Sequence, residues 1–256
     1  MTAWLLFGGA AVALLLLLWA VQLRTRDAAT VDVGWTVLVA AGAAMAALTS
    51  GGDPARRALV AVLSVAWAAR LGFYLLRDRV FSGRAEDGRY LALREAWGAA
   101  APRNFLFLYM AQALVAALFI LPISAAMRGG PPDGWAVAGV AVWLVAVIGE
   151  SVADAQLARF RADPAARGQV CRVGLWGWSR HPNYFFEWIH WFAYVLIGHA
   201  APLTLLGPVV MFLFLFRITG IPHTERQAEK SRGEAYRAYQ RTTSPFIPWP
   251  PRRGAA

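Results

Sequence analysis

Long apolar runs separated by short basic loops dominate the pattern of hydrophobic and polar positions in this chain. A membrane-spanning helix needs about 20 predominantly apolar residues. Runs that approach this length occupy residues 3–23, 32–49, 57–77, 104–127, 134–156, 184–200 and 201–218. The last two are separated only by a turn at 198–202. The pattern predicts an all-α, polytopic integral membrane helical bundle of about seven transmembrane helices, with six as the alternative count.

The segment after the apolar runs predicts an amphipathic C-terminal helix. Residues 223–241 place Glu225, Glu229, Arg232, Tyr236 and Tyr239 on one side of a helix. The prolines at 245, 248, 250 and 251 then exclude a helix, so the chain should end in an extended conformation. No internal repeat interrupts the pattern, and we predict a single membrane domain over residues 1–256.

The basic residues predict the orientation of the chain. If the N-terminus lies outside, the inner segments are 24–31, 77–103, 157–183 and 217–256, and they hold 21 of the 25 Lys and Arg residues. Cytoplasmic loops are enriched in Lys and Arg. We therefore expect a multi-pass protein of the inner (cytoplasmic) membrane with its N-terminus outside and its C-terminus in the cytoplasm.

Composition agrees with this picture and excludes other classes. The chain is 58% hydrophobic and only 16% charged, whereas soluble domains are nearer half apolar and a quarter charged. Residues 3–23 lack the basic region and the cleavage site of a signal peptide, so they predict a retained span. A net charge of +10 could indicate nucleic-acid binding, but the arginines lie in loops between spans. The single Cys171 excludes an internal disulfide.

Polar residues inside the spans fall on helical spacings. They form three stripes, which consist of Trp67, Arg70, Tyr74 and Arg77; of Glu150, Asp154 and Arg161; and of Asn183, Glu187, His190 or Trp191, and Tyr194. One interpretation is hydrogen bonding that only holds helices together. The other, which three stripes together favour, is an enclosed polar cavity that opens to the cytoplasm.

The start of the sixth apolar run carries the most specific chemistry. Pro182 at a first helical position leaves the N–H groups of that turn unpaired. With Arg180 and His181 just before it, such a helix start favours an anionic group such as phosphate. Asn183 and Glu187 are four residues apart and share one face. The alternative is an interfacial cap that only marks the membrane boundary.

Other motifs are less specific. Asp32, near the start of the second run, is either a buried acid or a helix cap. The four histidines show no HExxH spacing, so we predict no metal site. The sequence contains no Walker loop, and no GxGxxG follows a strand.

Residues Arg180 to Tyr184 with Glu187, preceded by Gly174-Leu175-Trp176 and Ser179, resemble the C-terminal signature of the steroid 5-alpha-reductase superfamily. The resemblance is closest to its bacterial branch, a domain of unknown function. It extends to Asp154 through Arg161, to residues 86–90 and to the tail from Tyr236 to Pro248. Together these segments span most of residues 30–250.

The resemblance implies an integral membrane reductase that binds NADPH in a C-terminal region, residues 150–250. The positions that match cofactor contacts, or are plausible additions to them, are Asp154, Arg161, Arg180, His181, Asn183, Tyr184, Glu187, His223, Glu225, Tyr236 and Tyr239. In the steroid reductases a buried Glu and a Tyr polarise the substrate ketone, and the corresponding segments here offer Asp32 and Tyr74 as catalytic residues. The second run contains no Glu, so a steroid substrate is not implied.

The expected reaction is hydride transfer from NADPH to a lipophilic enone, with Tyr74 and Asp32 stabilising the developing oxyanion. The main rival is a membrane methyltransferase of the isoprenylcysteine or phospholipid type, which resembles this chain in its Arg-His-Pro-x-Tyr element but binds S-adenosylmethionine. A non-catalytic membrane protein is the third possibility. The expected partners are a lipophilic small molecule and membrane lipid, without nucleic acid.

Overall fold

The computed structural model describes residues 1–81, 86–218 and 220–252, and these residues form helices and connecting turns without a β-strand. The protein is a polytopic helical membrane protein, as the hydropathy pattern predicts. Its helices are α1 (Thr2–Thr25), α2 (Thr30–Thr49), α3 (Pro54–Leu75), α4 (Gly88–Trp97), α5 (Ala101–Ala126), α6 (Gly134–Ala162), α7 (Pro182–Ile197), α8 (Leu206–Leu213), α9 (Ile221–Arg232) and α10 (Glu234–Thr242).

The chain forms two compact units. The first contains Met1–Ala136 and Ile197–Gly207, and the second contains Val137–Leu196 and Pro208–Ala256. The prediction of one membrane domain over the whole chain stays a prediction.

The first unit is built around α2, which packs against α3, α5 and α1. Its core is aromatic: the ring of Trp35 meets the rings of Trp67 and Phe119 edge to face, at centroid distances of 6.0 and 5.4 Å. Such edge-to-face pairs contribute beyond the apolar area they bury. Leucines on the other face of α1, including Leu5, Leu6 and Leu17, are exposed, as expected for a surface that contacts lipid.

A buried arginine fixes one end of the first unit. The Asp53 side chain caps α3 by accepting hydrogen bonds from the N–H groups of Ala55 and Arg56. The Arg56 guanidinium then donates to the carbonyl oxygens of Gly130 (2.6 Å), Pro131 (3.1 Å) and Ile197. Three carbonyl groups thus satisfy a cation that is almost fully buried.

The second unit contains the helices that carry the predicted cofactor residues. A short 3-10 turn at Gly174–Gly177 precedes α7, and the Trp176 indole donates to the carbonyl oxygen of Ala153 in α6 at 2.9 Å. The indole of Trp188 in α7 donates to the carbonyl oxygen of Pro208 at 3.0 Å. These bonds connect α7 and its preceding turn to the helices on either side.

Six helical stretches among the described residues are long and apolar enough to cross a membrane. This count is the alternative that the sequence allowed, one fewer than the seven favoured. The difference lies at 184–200, where α7 has only 16 residues. A helix of that length rises about 24 Å, less than the hydrocarbon thickness of about 30 Å.

The tail differs from the single amphipathic helix that the sequence predicts. It consists of α9 and α10, and Gly233 between them has a φ of +54°. Glycine adopts this left-handed conformation without the steric penalty of a side chain, so the helix breaks there. No helix follows Thr242 in the described residues, which confirms the expectation of a non-helical end.

Candidate functional site

Two antiparallel helices of the second unit, α6 and α7, form the framework of the candidate site. A β-carbon on Gly149 of α6 would lie 2.5 Å from the Phe186 ring of α7, so glycine lets that ring pack directly on the α6 backbone. Further along α6, the Asn183 amide donates to the Asp154 carboxylate at 3.3 Å. From Gly149 to Asp154 the residue number on α6 rises, while that of the contacting residue on α7 falls from Phe186 to Asn183. The two helices therefore run in opposite directions.

This helix pair buries three carboxyl groups. Glu150 and Asp154 are each 4% exposed and Glu187 is 8% exposed. Glu150 follows Gly149 and Glu187 follows Phe186, so these two residues lie at a similar height along the helix pair. Burial of a carboxyl group is costly and is tolerated where other groups or a ligand compensate. The structure brings two of the predicted cofactor residues, Asn183 and Asp154, into contact, and the enclosed polar cavity stays a prediction.

The same face of α7 continues into a buried histidine–tyrosine pair. The His190 Nε2 and the Tyr194 hydroxyl oxygen are 3.0 Å apart, and neither side chain is exposed. Trp191 packs beside both rings, at centroid distances of 5.0 and 5.6 Å. Because Asn183, Glu187, His190 and Tyr194 recur at helical spacing, polar groups extend along most of α7.

Arg180 holds the chain tail against the start of α7. Its Nε donates to the Glu225 carboxylate of α9 at 2.6 Å. One terminal nitrogen donates to the carbonyl oxygens of Gln240 (3.0 Å) and Thr243 (2.8 Å). The predicted role of Arg180 as a cofactor ligand stays a prediction, and its observed contacts anchor the tail.

His181 lies between the tail and the first turn of α7. Its Nε2 is 3.3 Å from the Glu225 carboxylate, and its ring stacks on Tyr184 with a centroid distance of 5.4 Å and an interplanar angle of 8°. Burial lowers the pKa of His181 and the Glu225 carboxylate raises it, with the net result below the ordinary value. His181 is therefore neutral at pH 7.

Two tyrosines of α10 complete the contact between the tail and the segment before α7. The Tyr239 hydroxyl donates to the carbonyl oxygens of Trp176 and Ser179. The Tyr236 ring packs against the Tyr239 ring, with 5.8 Å between the ring centroids. Burial raises the pKa of the Tyr239 phenol, so it remains a neutral donor. Tyr236 and Tyr239 thus lie in the second unit with the other residues predicted to contact a cofactor.

Several residues of this arrangement, among them Ser179, Ser244 and Gln240, were not predicted as site residues. The Ser179 hydroxyl donates to the carbonyl oxygen of Phe246 at 2.7 Å, and Ser179 also forms a parallel β-bridge with Ser244. Gln240 donates to Glu225 at 3.2 Å and to Glu229 at 2.8 Å. Ser179 belongs to the run before Arg180 that carries the family resemblance, but no periodicity in the sequence links it to the tail.

Two predicted cofactor residues lie at less enclosed positions. Arg161 is exposed near the end of α6, and His223 is half-buried in α9. Both have interactions with other groups of the protein. Their predicted contacts with a cofactor stay predictions.

The predicted catalytic residues belong to the first unit. The Asp32 carboxylate accepts hydrogen bonds from Arg89 (2.9 Å), from the Tyr90 hydroxyl (2.6 Å) and from Arg79. The interpretation of Asp32 as a helix cap is wrong, because α2 begins at Thr30 and its N-cap residue is Ala29. Asp32 is a partly buried acid that pairs with two arginines.

A second set of ion pairs extends this network along the loop before α4. Asp87 caps α4 through the N–H of Arg89. Burial raises the pKa of the Asp87 carboxyl, but the charges of Arg89 and Arg79 and the hydrogen bonds from Arg89 outweigh burial and bring it to about 2. Glu86 pairs with Arg94 at 2.7 Å and accepts from the N–H of Ala28 at 2.8 Å.

Tyr74, the other predicted catalytic residue, is half-buried on α3. The Arg70 guanidinium lies 5.7 Å from the centre of its ring, which is within the range of a cation–π contact. Polarisation of a substrate carbonyl by Tyr74 and Asp32 stays a prediction. Within the described ranges, no three His, Cys, Asp or Glu side chains gather in a way that could hold a metal ion.

Comparison with known proteins gives one family and one distant relative. The profile of a family described as "Protein of unknown function (DUF1295)" matches residues 18–243. An uncharacterized protein of Schizosaccharomyces pombe is 26% identical over 264 residues, which cover 90% of this chain and 75% of the relative. No solved structure matches.

Proposed function

Because this chain belongs to the family described as Protein of unknown function (DUF1295), a steroid 5-alpha-reductase-like family, we propose that it is a membrane-embedded reductase. In this proposal it uses NADPH to reduce a lipophilic α,β-unsaturated carbonyl compound. The observation that carries the proposal is the burial of Glu150 and Asp154 on α6 and of Glu187 on α7, together with the hydrogen bond from Asn183 to Asp154.

A membrane protein rarely retains such a group of carboxyl side chains without a use for them. Ionisable residues inside membrane helices are expensive and are by default candidates for function. Two carboxyl groups at one level also repel each other unless protons, cations or hydrogen-bond donors intervene. A polar ligand with several hydroxyl and amide donors would relieve this cost.

The side chains present suit a nicotinamide dinucleotide in kind. Carboxylates accept hydrogen bonds from ribose hydroxyls, and an amide such as that of Asn183 can both donate and accept. The stacked His181 and Tyr184 rings at the start of α7 offer an aromatic surface. We therefore assign NADPH binding to the second unit, with Asp154, Asn183 and Glu187 as the principal contacts.

The chemistry would divide between cofactor and protein. NADPH supplies a hydride when bound, and the protein supplies orientation and electrostatics. The α6–α7 residues hold the cofactor, the apolar surroundings exclude water, and an acid stabilises the negative charge that develops on the carbonyl oxygen. Tyr74 and Asp32 remain the predicted acid groups, and the fixed ion pairs of Asp32 suit it to orienting neighbours rather than donating a proton.

A methyltransferase that uses S-adenosylmethionine is the second candidate. The observation in its favour is the charge of the helix pair, since three carboxyl groups would attract a cationic sulfonium. Asn183 and the Phe186-Glu187-Trp188 continuation favour the reductase, because a small residue is common at this place in the methyltransferases.

Thermal unfolding of the detergent-purified protein separates these candidates. We expect NADPH to raise the melting temperature and S-adenosylmethionine to have no comparable effect, since a ligand that binds only the folded state stabilises it. Stabilisation by the methyl donor alone would favour the methyltransferase. Stabilisation by neither would favour a non-catalytic membrane protein.

A further inference from the structure

The His190–Tyr194 pair is a buried acid–base couple without a role in cofactor binding as proposed above. The two groups are 3.0 Å apart and fully enclosed on α7. Imidazole and phenol can each donate and accept a proton. Apolar packing alone does not require a buried His–Tyr pair, because leucine or phenylalanine would fill the same space at a lower free-energy cost.

The pair continues the face of α7 that carries the proposed cofactor contacts. Tyr194 is eleven residues beyond Asn183, which places it about 16 Å further along the helix axis. His190 lies three residues beyond Glu187 and four before Tyr194, and residues at these spacings are neighbours on a helix surface. Glu187, His190 and Tyr194 therefore follow one another from the polar start of α7 into its buried part.

We propose that Tyr194 donates the proton that completes the reduction and that His190 returns a proton to it. This inference rests on the proposed function. The β-carbon of the substrate gains a C–H bond with the hydride from NADPH, and the Tyr194 O–H breaks as its proton passes to the α-carbon of the resulting enolate. His190 then transfers a proton, ultimately from water, to the tyrosinate. One NADPH and one proton are consumed, and NADP⁺ and a saturated carbonyl compound form.

The first test needs no substrate. Exchange of the histidine C2 hydrogens in D₂O, followed by mass spectrometry, reports the surroundings of each histidine. We expect NADPH to slow the exchange at His190 by about threefold or more, and to leave His199 unchanged, because His199 lies on an exposed turn of the first unit. Unchanged exchange at His190 in protein that NADPH stabilises would overturn the inference.

The second test measures turnover with a steroid 4-en-3-one, a long-chain fatty enone and an isoprenoid enal as probes. Tyr194→Phe should retain stabilisation by NADPH and lose at least about 100-fold in reduction of any probe that the wild type reduces, as expected for loss of a general acid. His190→Gln should also reduce these probes more slowly than the wild type. Tyr109→Phe removes another buried phenol, in the first unit, and should retain turnover.

The outcomes separate the inference from the proposed function. Full turnover by Tyr194→Phe overturns the inference and leaves the proposed function intact. Absence of NADPH stabilisation in the wild type overturns the proposed function, and the inference with it. If no probe is reduced, the exchange at His190 decides.

Discussion

Single side chains determine how the tail of this protein is held. Arg180 reaches Glu225 and two main-chain carbonyl groups from a position next to α7. A guanidinium presents several donors in a fixed planar arrangement, which an ammonium group lacks. Arg180 therefore connects α7, α9 and the end of α10 through one group.

Removal of Arg180 should destabilise the second unit. Arg180→Gln removes the charged group that donates to the Glu225 carboxylate and to two carbonyl groups, and loss of one member of a largely buried pair costs about 3 kcal/mol or more. We expect a clearly lower melting temperature in detergent, with Arg180→Lys intermediate. Arg237→Gln, which breaks an exposed pair with Glu234, is the matched control and should leave the melting temperature unchanged. Equal stability of Arg180→Gln and wild type would contradict the account.

The titration of His181 predicts how stability depends on pH. Because burial lowers its pKa below the ordinary 6.5, the unfolded chain binds a proton at a higher pH than the folded protein does. The stability that neutral His181 contributes is thus present above pH 6.5 and is lost as the pH falls through its lower folded pKa.

Melting temperatures between pH 7.5 and 5 test this prediction. We expect His181→Gln to lose less stability on acidification than the wild type. Gly8→Ala changes no titratable group and lies in open space on α1, and it should retain the wild-type slope. A wild-type slope in His181→Gln would show that this histidine does not titrate as described.

Among the elements, the α6–α7 pair depends on close approach at Gly149. A side chain at this position would meet the Phe186 ring at 2.5 Å, so Gly149→Ala should lower the melting temperature, with a cost of about 1–3 kcal/mol. Phe186→Leu should partly rescue it, since the smaller side chain makes room. Gly8→Ala, in open space on α1, should be neutral or stabilising because alanine favours a helix. A neutral Gly149→Ala would mean that α6 and α7 do not pack at this contact.

Some features of the helices could be predicted from the sequence, and others could not. Hydropathy alone predicts the helices, because lipid requires each span to satisfy its own main-chain hydrogen bonds. The spacing of Asn183 and Glu187 predicts their common face. The break at Gly233 was missed, since the residues on both sides of it keep the helical pattern.

Contacts between distant segments were beyond prediction from periodicity. Asp32 binds Arg79 from the helical turn that follows α3 and Arg89 and Tyr90 from α4, some 47 to 58 residues away in sequence. The contact of Ser179 with Phe246 spans 67 residues. Such pairings follow from tertiary packing, and no local pattern specifies them.

For the whole molecule, the number of membrane spans determines whether the N-terminus and the C-terminus lie on the same side of the membrane. Six crossings place both termini on one side of the membrane, whereas seven place them on opposite sides. The short α7 favours six, and the basic residues of the tail favour a cytoplasmic C-terminus. With six crossings and a cytoplasmic C-terminus the N-terminus would also be cytoplasmic, whereas the predicted outside N-terminus requires seven. The identity of the membrane and the orientation of the termini stay predictions.

In the proposed function, the carboxyl and amide groups of α6 and α7 bind NADPH. The most direct measurement is an NADPH titration of the wild type, Glu187→Gln, Asn183→Ala and the exposed-site control Glu95→Gln, each verified to insert in membranes. We expect Glu95→Gln to bind like the wild type, and the two α7 variants to bind at least about tenfold more weakly, a loss of about 1.4 kcal/mol or more. Wild-type affinity in both α7 variants would contradict the account.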